Sequence, residues 1–226
     1  MTVLFVVATI ILFLTIDWFV RRAKEKKPIA VPQQATVAKQ FSIRTPEGIY
    51  FTPSHTWMNL FPSGKVRLGI DDFVGRMFEK PRVTFLKKAG ERVAEGEPLL
   101  MLQEGEHALT VRSPIECEIL SENEELHEHS SLMYESLFSD GWAYTIKPAR
   151  FADLRSMMLG PDSRTWMNIE FARLRDFFAR PFNQEQLSPV LLQDGGMPVA
   201  GAVKQMSKER CQEFEEEFLS VQAKVK

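Results

Sequence analysis

Cysteine is scarce in this chain of 226 residues: Cys117 and Cys211 are the only two, far apart and without CxxC spacing. That excludes a disulfide framework and a cysteine-built zinc site, and free thiols of this kind suit a reducing compartment. An excess of one charge is lacking too. With 28 basic and 30 acidic residues the formal net charge is -2, so the clustered basic surplus that a nucleic acid needs is missing and no such partner is expected. No G-x-S-x-G elbow or comparable nucleophile context occurs, which leaves no catalytic residue to name and no enzyme activity to expect. No internal repeat is visible. The length admits one domain with a proper core plus an anchor, or two small domains, and is too short for a large multidomain enzyme.

What is present begins with a single long apolar run. Residues 2–20, TVLFVVATIILFLTIDWFV, would cover about 30 Å as a helix rising about 1.5 Å per residue, the hydrocarbon thickness of a bilayer. Asp17 and Trp18 fall near its far end, and Arg21, Arg22, Lys24, Lys26 and Lys27 follow directly. Basic residues are retained on the cytoplasmic side, so the sequence predicts a single-pass anchor in the cytoplasmic (inner) membrane with its N-terminus outside and the rest of the chain in the cytoplasm. A cleaved secretory signal is disfavoured because no positive charge precedes the run and no small-residue cleavage site follows it.

Four segments are expected: an anchor over 1–22, a linker over 23–42, a β domain over 43–158 and a helical extension over 159–226. The linker, with Pro28 and Pro32, is polar and aperiodic. From Ile43 to Pro148 short apolar-rich runs recur between turn residues: IYFT, KVRLGI, RVTFL, PLLML, ALTVR, CEIL and WAYTIK. Gly64, Gly90, Gly96, Gly105 and Ser113-Pro114 punctuate them, which favours hairpins in a small sandwich or barrel. Beyond Pro148 the pattern turns helical. One helix is predicted over FADLRSMML before Gly160-Pro161, and a second after Asp162 and Ser163 with Met167, Phe171, Leu174 and Phe178 on one face. A third, from about Lys208 to Leu219, would carry Cys211, Phe214 and Phe218.

The run from Tyr50 to Pro148 resembles the H-protein of the glycine cleavage system, through several separated motifs in the family's order. FTPSHTW at 51–57 is similar to the family's Y-T-x-x-H-E-W start, with Thr56 in the place of the usual glutamate. LGIDDFVG at 68–75 is similar to its V-G-I-T-D-Y-A stretch, and KAGERVAEGE at 88–97 to its x-x-G-D-x-V-x-x-G-E hairpin. Ser113-Pro114 matches the Y-S-P turn, and GWAYTIKP at 141–148 the closing G-W-x-x-x-I-K-P. The resemblance implies a mainly β fold with helices, a barrel-sandwich hybrid of the lipoyl/H-protein kind. It also implies an exposed hairpin whose lysine carries lipoate seven residues before the serine of the Y-S-P turn. Counting back seven from Ser113 reaches Glu106. A carboxylate cannot form the amide to lipoate, so no cofactor is expected.

Other lysines near this region, Lys87 and Lys88, lie before the Gly90 turn and read as solvated strand-end charges. His107, His127 and His129 with Glu104, Glu106 and Glu128 contain metal-ligand types, but the H-x-H pair falls in the acidic stretch ENEELHEHSS and reads as surface; no metal is expected. His55 reads as structural packing within the H-x-W motif. The aromatics Trp166, Phe171, Phe177, Phe178 and Phe182 are dense; they suit helices packing on the β domain, and they are also the interface candidates. Taken together, the sequence predicts a non-catalytic, membrane-anchored accessory or scaffolding subunit of an integral membrane protein complex. A respiratory or electron-transfer assembly is one natural setting. Two alternatives remain: a lipoyl-type carrier with an unconventional attachment site, and an adaptor like the membrane-fusion proteins of transport systems.

Overall fold

A computed structural model describes residues 45–180 and 201–221, together with Thr15. The chain divides into two compact units, Met1–Ser42 and Ile43–Lys226. The anchor of residues 2–20, Thr15 apart, the linker 23–42 and Phe182 lie outside the described residues. Among the described residues no helix is long and apolar enough to cross a membrane.

The second unit is mainly β with helices. Its strands are β1 (Ile49–Phe51), β2 (Thr56–Leu60), β3 (Val66–Ile70), β4 (Arg82–Phe85), β5 (Arg92–Val93), β6 (Pro98–Glu104), β7 (His107–Arg112), β8 (Cys117–Glu122), β9 (Trp142–Pro148) and β10 (Met158–Leu159). Seven form one sheet in the order β10-β1-β2-β3-β9-β8-β5, and three form a second in the order β4-β6-β7. All neighbours are antiparallel. Among the described residues the two sheets form no closed barrel: β10 and β5, the ends of the larger sheet, are two residues each.

The core follows from strand alternation. Val66, Leu68, Tyr144, Ile146 and Ile119 from the larger sheet and Val83, Leu100, Leu102, Leu109 and Val111 from the smaller one are all 0–2% exposed. Tyr144 brings a hydroxyl into that layer and satisfies it: it donates to the Leu99 carbonyl at 2.7 Å and accepts from the Lys87 N–H at 3.4 Å. On the other face of the larger sheet Trp57 lies opposite Gly69 and meets Phe138 edge-on, with ring centroids 5.6 Å apart. A Cβ at Gly69 would stand 2.5 Å from the buried indole. Gly69→Ala is therefore expected to cost about 1–3 kcal/mol by overpacking, seen as a lower denaturation midpoint with unchanged cooperativity; an unchanged midpoint would refute the close packing.

The helices are α1 (Asp72–Gly75), α2 (Glu125–Glu128), α3 (Leu132–Glu135), α4 (Pro161–Ala179) and α5 (Lys208–Phe214), the last continued by a π turn over Glu215–Leu219. Asp71 caps α1 by accepting from the Phe73 and Val74 N–H groups. FADLRSMML is not the expected α-helix: Phe151–Ser156 is a 3-10 turn and Met158–Leu159 pairs with Tyr50 and Phe51. The free edge of β1 offers a ladder, and Gly160, at φ +61, then turns the chain into α4. That helix begins at Pro161, where the missing N–H costs nothing.

Candidate functional site

The hairpin singled out by the sequence is a tight one. Glu104 faces His107 across a two-residue turn, Gly105-Glu106, with Gly105 at φ +64 as such turns require. Glu106 thus occupies the tip, its side chain 84% exposed. Its nearest cation is Lys208 at the start of α5, Nζ to Oε2 3.8 Å, also exposed. Water screens such a pair, so it orients the tip without holding it.

One residue before the turn the chemistry is different. Glu104 is buried and accepts from the backbone N–H groups of Glu79 and Lys80 at 3.0 and 2.8 Å, while the Lys204 ammonium stands 3.0 Å away and 2.8 Å from Glu79. The hydrogen bond from Lys204 draws the Glu79 carboxyl below its usual range. The outer edge of β7 is covered as well: the Thr110 N–H, which would otherwise face water, donates to Glu215 of the π turn. The hairpin is therefore held just behind its turn by Glu79, Lys80 and Lys204 and along its edge by Glu215, and the turn itself projects.

Beneath the C-terminal helices lies a second polar feature. His55 is fully buried, at φ +57, with its ring stacked on Phe73 at 3.8 Å and 8°. Nδ1 is 2.8 Å from Asp71, and Nε2 stands 3.6 Å from Glu170, an ion-pair rather than hydrogen-bond distance. Glu170 receives both its oxygens' bonds from Arg173 at 2.8 Å, and Arg173 and Arg180 both reach Glu217. A chain of alternating charge runs from the buried end of β3 to the surface of α4. Burial alone would lower the imidazole pKa; Asp71 and then Glu170 outweigh it, and the value is raised above 6.5.

For Glu170, burial raises, and the nearby imidazole of His55 together with the bonds from Arg173 outweighs it, so its pKa falls below 4.5. The pair makes stability pH-dependent on both flanks. His55, with its folded value raised, contributes fully below about 6.5 and loses that contribution as pH rises through the folded value; Glu170, with its value depressed, contributes above 4.5 and loses it as pH falls. Denaturation midpoints measured across pH should peak between those limits, and the alkaline decline should flatten in His55→Asn. An equally steep decline in that variant would remove the imidazole as its cause.

Around this chain the aromatic residues form one cluster. Phe73 contacts Phe171, Phe214 and Phe218 at centroid distances of 5.3, 6.1 and 5.3 Å, and Phe177 meets Phe178, Phe214 and Phe218 edge-on. Phe171, Phe177 and Phe178 are 7%, 0% and 7% exposed, which takes them from the interface candidates into the core that joins α4 and α5 to the sheets. Trp166 is half-buried against His55 at 5.0 Å. Phe182 lies outside the described residues. Helices α4 and α5 accordingly share one hydrophobic interior with the β domain.

Among the described residues no group of three or more His, Cys, Asp and Glu is arranged to hold a metal. His127 instead packs edge-on against Phe85 at 5.1 Å. Lys87 is paired with Glu97, while Lys88 is exposed. Burial pushes both thiols, Cys117 and Cys211, up to about 11, so neither is a ready nucleophile.

The family model of the glycine cleavage H-protein matches residues 49–168. The glycine cleavage system H protein of Chromobacterium violaceum is 32% identical over 113 residues, covering 50% of this chain and 88% of that protein. H protein 2 of Aquifex aeolicus is 28% identical over 120 residues, 52% of this chain and 74% of its own. A crystal structure of a glycine cleavage system H protein from Mycobacterium marinum, 18% identical, aligns with 54% of this chain and 98% of that one at a TM-score of 0.46. The stretch matched by the model takes in β1 to the first half of α4 and more than half of the residues, and the chain belongs to the glycine cleavage H-protein family.

Proposed function

We propose that this chain is a non-catalytic, membrane-anchored accessory subunit whose H-protein-like domain binds a partner protein without carrying a lipoyl group. The observation behind the reading is Glu106. It stands at the projecting tip of a tight hairpin, seven residues before Ser113 as the family's lysine stands before its serine, and it offers a carboxylate. Lipoate is attached through a side-chain nitrogen, so the tip does not fit the group and no carrier step is derived through it. A fold kept without its cargo leaves surfaces as the remaining function. The apolar run of residues 2–20 and the basic residues after it favour the cytoplasmic membrane, N-terminus outside, as the setting, with an integral membrane complex as the partner.

The test is purification of the full chain from its native membranes in mild detergent, followed by intact mass and identification of co-purifying subunits. An unmodified mass with stoichiometric companions is the expected result; a lipoyl or biotinyl adduct overturns the reading. A carrier with an unconventional attachment site has one observation in its favour, the exposed Lys208 ammonium beside Glu106. Peptide mapping would find such an adduct on Lys208.

A further inference from the structure

Three of the five large apolar side chains exposed among the described residues, Leu60 at 37%, Phe151 at 52% and Leu159 at 41%, gather at one end of the larger sheet. Register places them. Ile49, where β1 begins, faces Asn59; Leu60 faces Val66; Leu159 faces Tyr50, which faces Met58. Cross-strand partners share a face, so Leu60 and Leu159 lie on the same side, roughly 10–12 Å apart at strand spacings of about 4.8 Å. Phe151 packs over the turn between β2 and β3, its ring 3.2 Å from the Cβ position of Gly64. Half-buried Phe61 begins that turn and stacks with the Arg67 guanidinium at 5.4 Å.

Charge at this end is mixed. Lys65 is exposed, Arg150 is exposed beside Asp153 at 3.2 Å, Lys147 faces Glu118 across β9 and β8, and Glu47 lies close to the start of β1. Exposed leucine and phenylalanine rimmed by lysine and arginine suit the headgroup zone of a bilayer, where apolar groups enter and cations meet phosphate.

The course of the polypeptide says which surface covers this end. The chain enters the domain here: Thr45, in contact with Arg164 of α4, leads within four residues into β1 at the level of Asn59. Residues 21–44 separate that point from the apolar run. Whatever its conformation, a stretch of that length reaches at most about 80 Å, which keeps the lipid surface at a high effective concentration and lets a small apolar contact suffice.

We propose that this end of the larger sheet, with Leu60, Phe61, Phe151 and Leu159 as its apolar contacts and Lys65 and Arg150 at its rim, rests on the surface of the bilayer. The inference relies on the anchor reading above, and its test separates the two. The full chain is reconstituted in vesicles of phosphatidylcholine and phosphatidylglycerol containing brominated lipid, with a fluorophore on Ser63→Cys or, at the opposite end of the sheet, on Ser139→Cys. The native thiols are buried and leave the label site-specific.

Several-fold stronger quenching at position 63 than at 139, abolished in the doubly substituted Leu60→Glu, Leu159→Glu background, is the expected result. Equal quenching at both positions, or quenching that survives the two substitutions, overturns the proposal, including the case in which a protein partner owns this surface. An alkaline carbonate wash reads the anchor independently: a chain released by the wash refutes the anchor, whereas a retained chain without differential quenching refutes only the docking surface.

Discussion

His55→Ala is expected to destabilise the domain by about 3–5 kcal/mol, the range for removing one partner from a buried ion pair. Three losses coincide at this residue. Asp71 and Glu170 lose the group between them, and Glu170 keeps only Arg173. The ring stacked on Phe73 becomes a void in a close-packed aromatic layer. Alanine must also adopt φ +57, where a Cβ crowds the following carbonyl. His55→Asn separates these contributions, because asparagine tolerates a positive φ and can donate to Asp71. The measurement is the denaturation midpoint followed by tryptophan fluorescence; His55→Asn should fall between wild type and alanine. A midpoint for His55→Ala within experimental error of wild type would mean that the buried charges do not depend on the imidazole.

Phe73→Ala should cost a similar amount, about 3–5 kcal/mol, for a different reason: a large apolar side chain is deleted from the centre of the cluster. Phe73 is 0% exposed and sits between the His55 ring and Phe171, Phe214 and Phe218. It belongs to α1, a single turn held by Asp71, so the same carboxylate that faces His55 also fixes the phenylalanine beneath it. Residues in contact do not act independently. The double variant is expected to lose less than the sum of the two single losses, by about 0.5–3 kcal/mol. Strict additivity would show that the stack carries no coupling.

The sequence made the strands legible and the joints between elements obscure. IYFT, KVRLGI, RVTFL, PLLML, ALTVR, CEIL and WAYTIK each became a strand, because alternation of apolar residues between turn glycines reports a half-buried ribbon directly. TWMNL, β2, was hidden inside the H-x-W motif, and β5 and β10 are two residues long, below the length at which any period can be read. Asp71-Asp72 was visible only as part of the LGIDDFVG motif, whereas one carboxylate caps α1 and the other pairs with Arg76 at 3.1 Å.

The site divided in the same way. Gly105 was legible as a turn residue because turn chemistry is local, and Glu106 was placed at a tip by the resemblance, through its spacing to Ser113. Nothing near His55 announces Glu170, since the two meet only when α4 docks, and a side-chain pairing over that separation leaves no periodic trace. The aromatic residues of α4 carried a sense of crowding with an open destination, and the answer came from Phe214 at the end of α5 and Phe218 in the π turn that follows, which complete the cluster from within the chain. A possible signal was the pair of facing stripes on the two predicted helices: each is too apolar on one side to be left uncovered.

The short helix after residue 207, with the π turn that continues it, performs two tasks at once, filling the cluster with phenylalanines and accepting the outward amide of Thr110 on β7. A proteolytic cut just upstream of it would therefore uncover a greasy surface and an unpaired strand in the same event. Copies clipped in this way are primed to zip together edge against edge, so the fragment's tendency to grow into aggregates would report on whether this small element is in place.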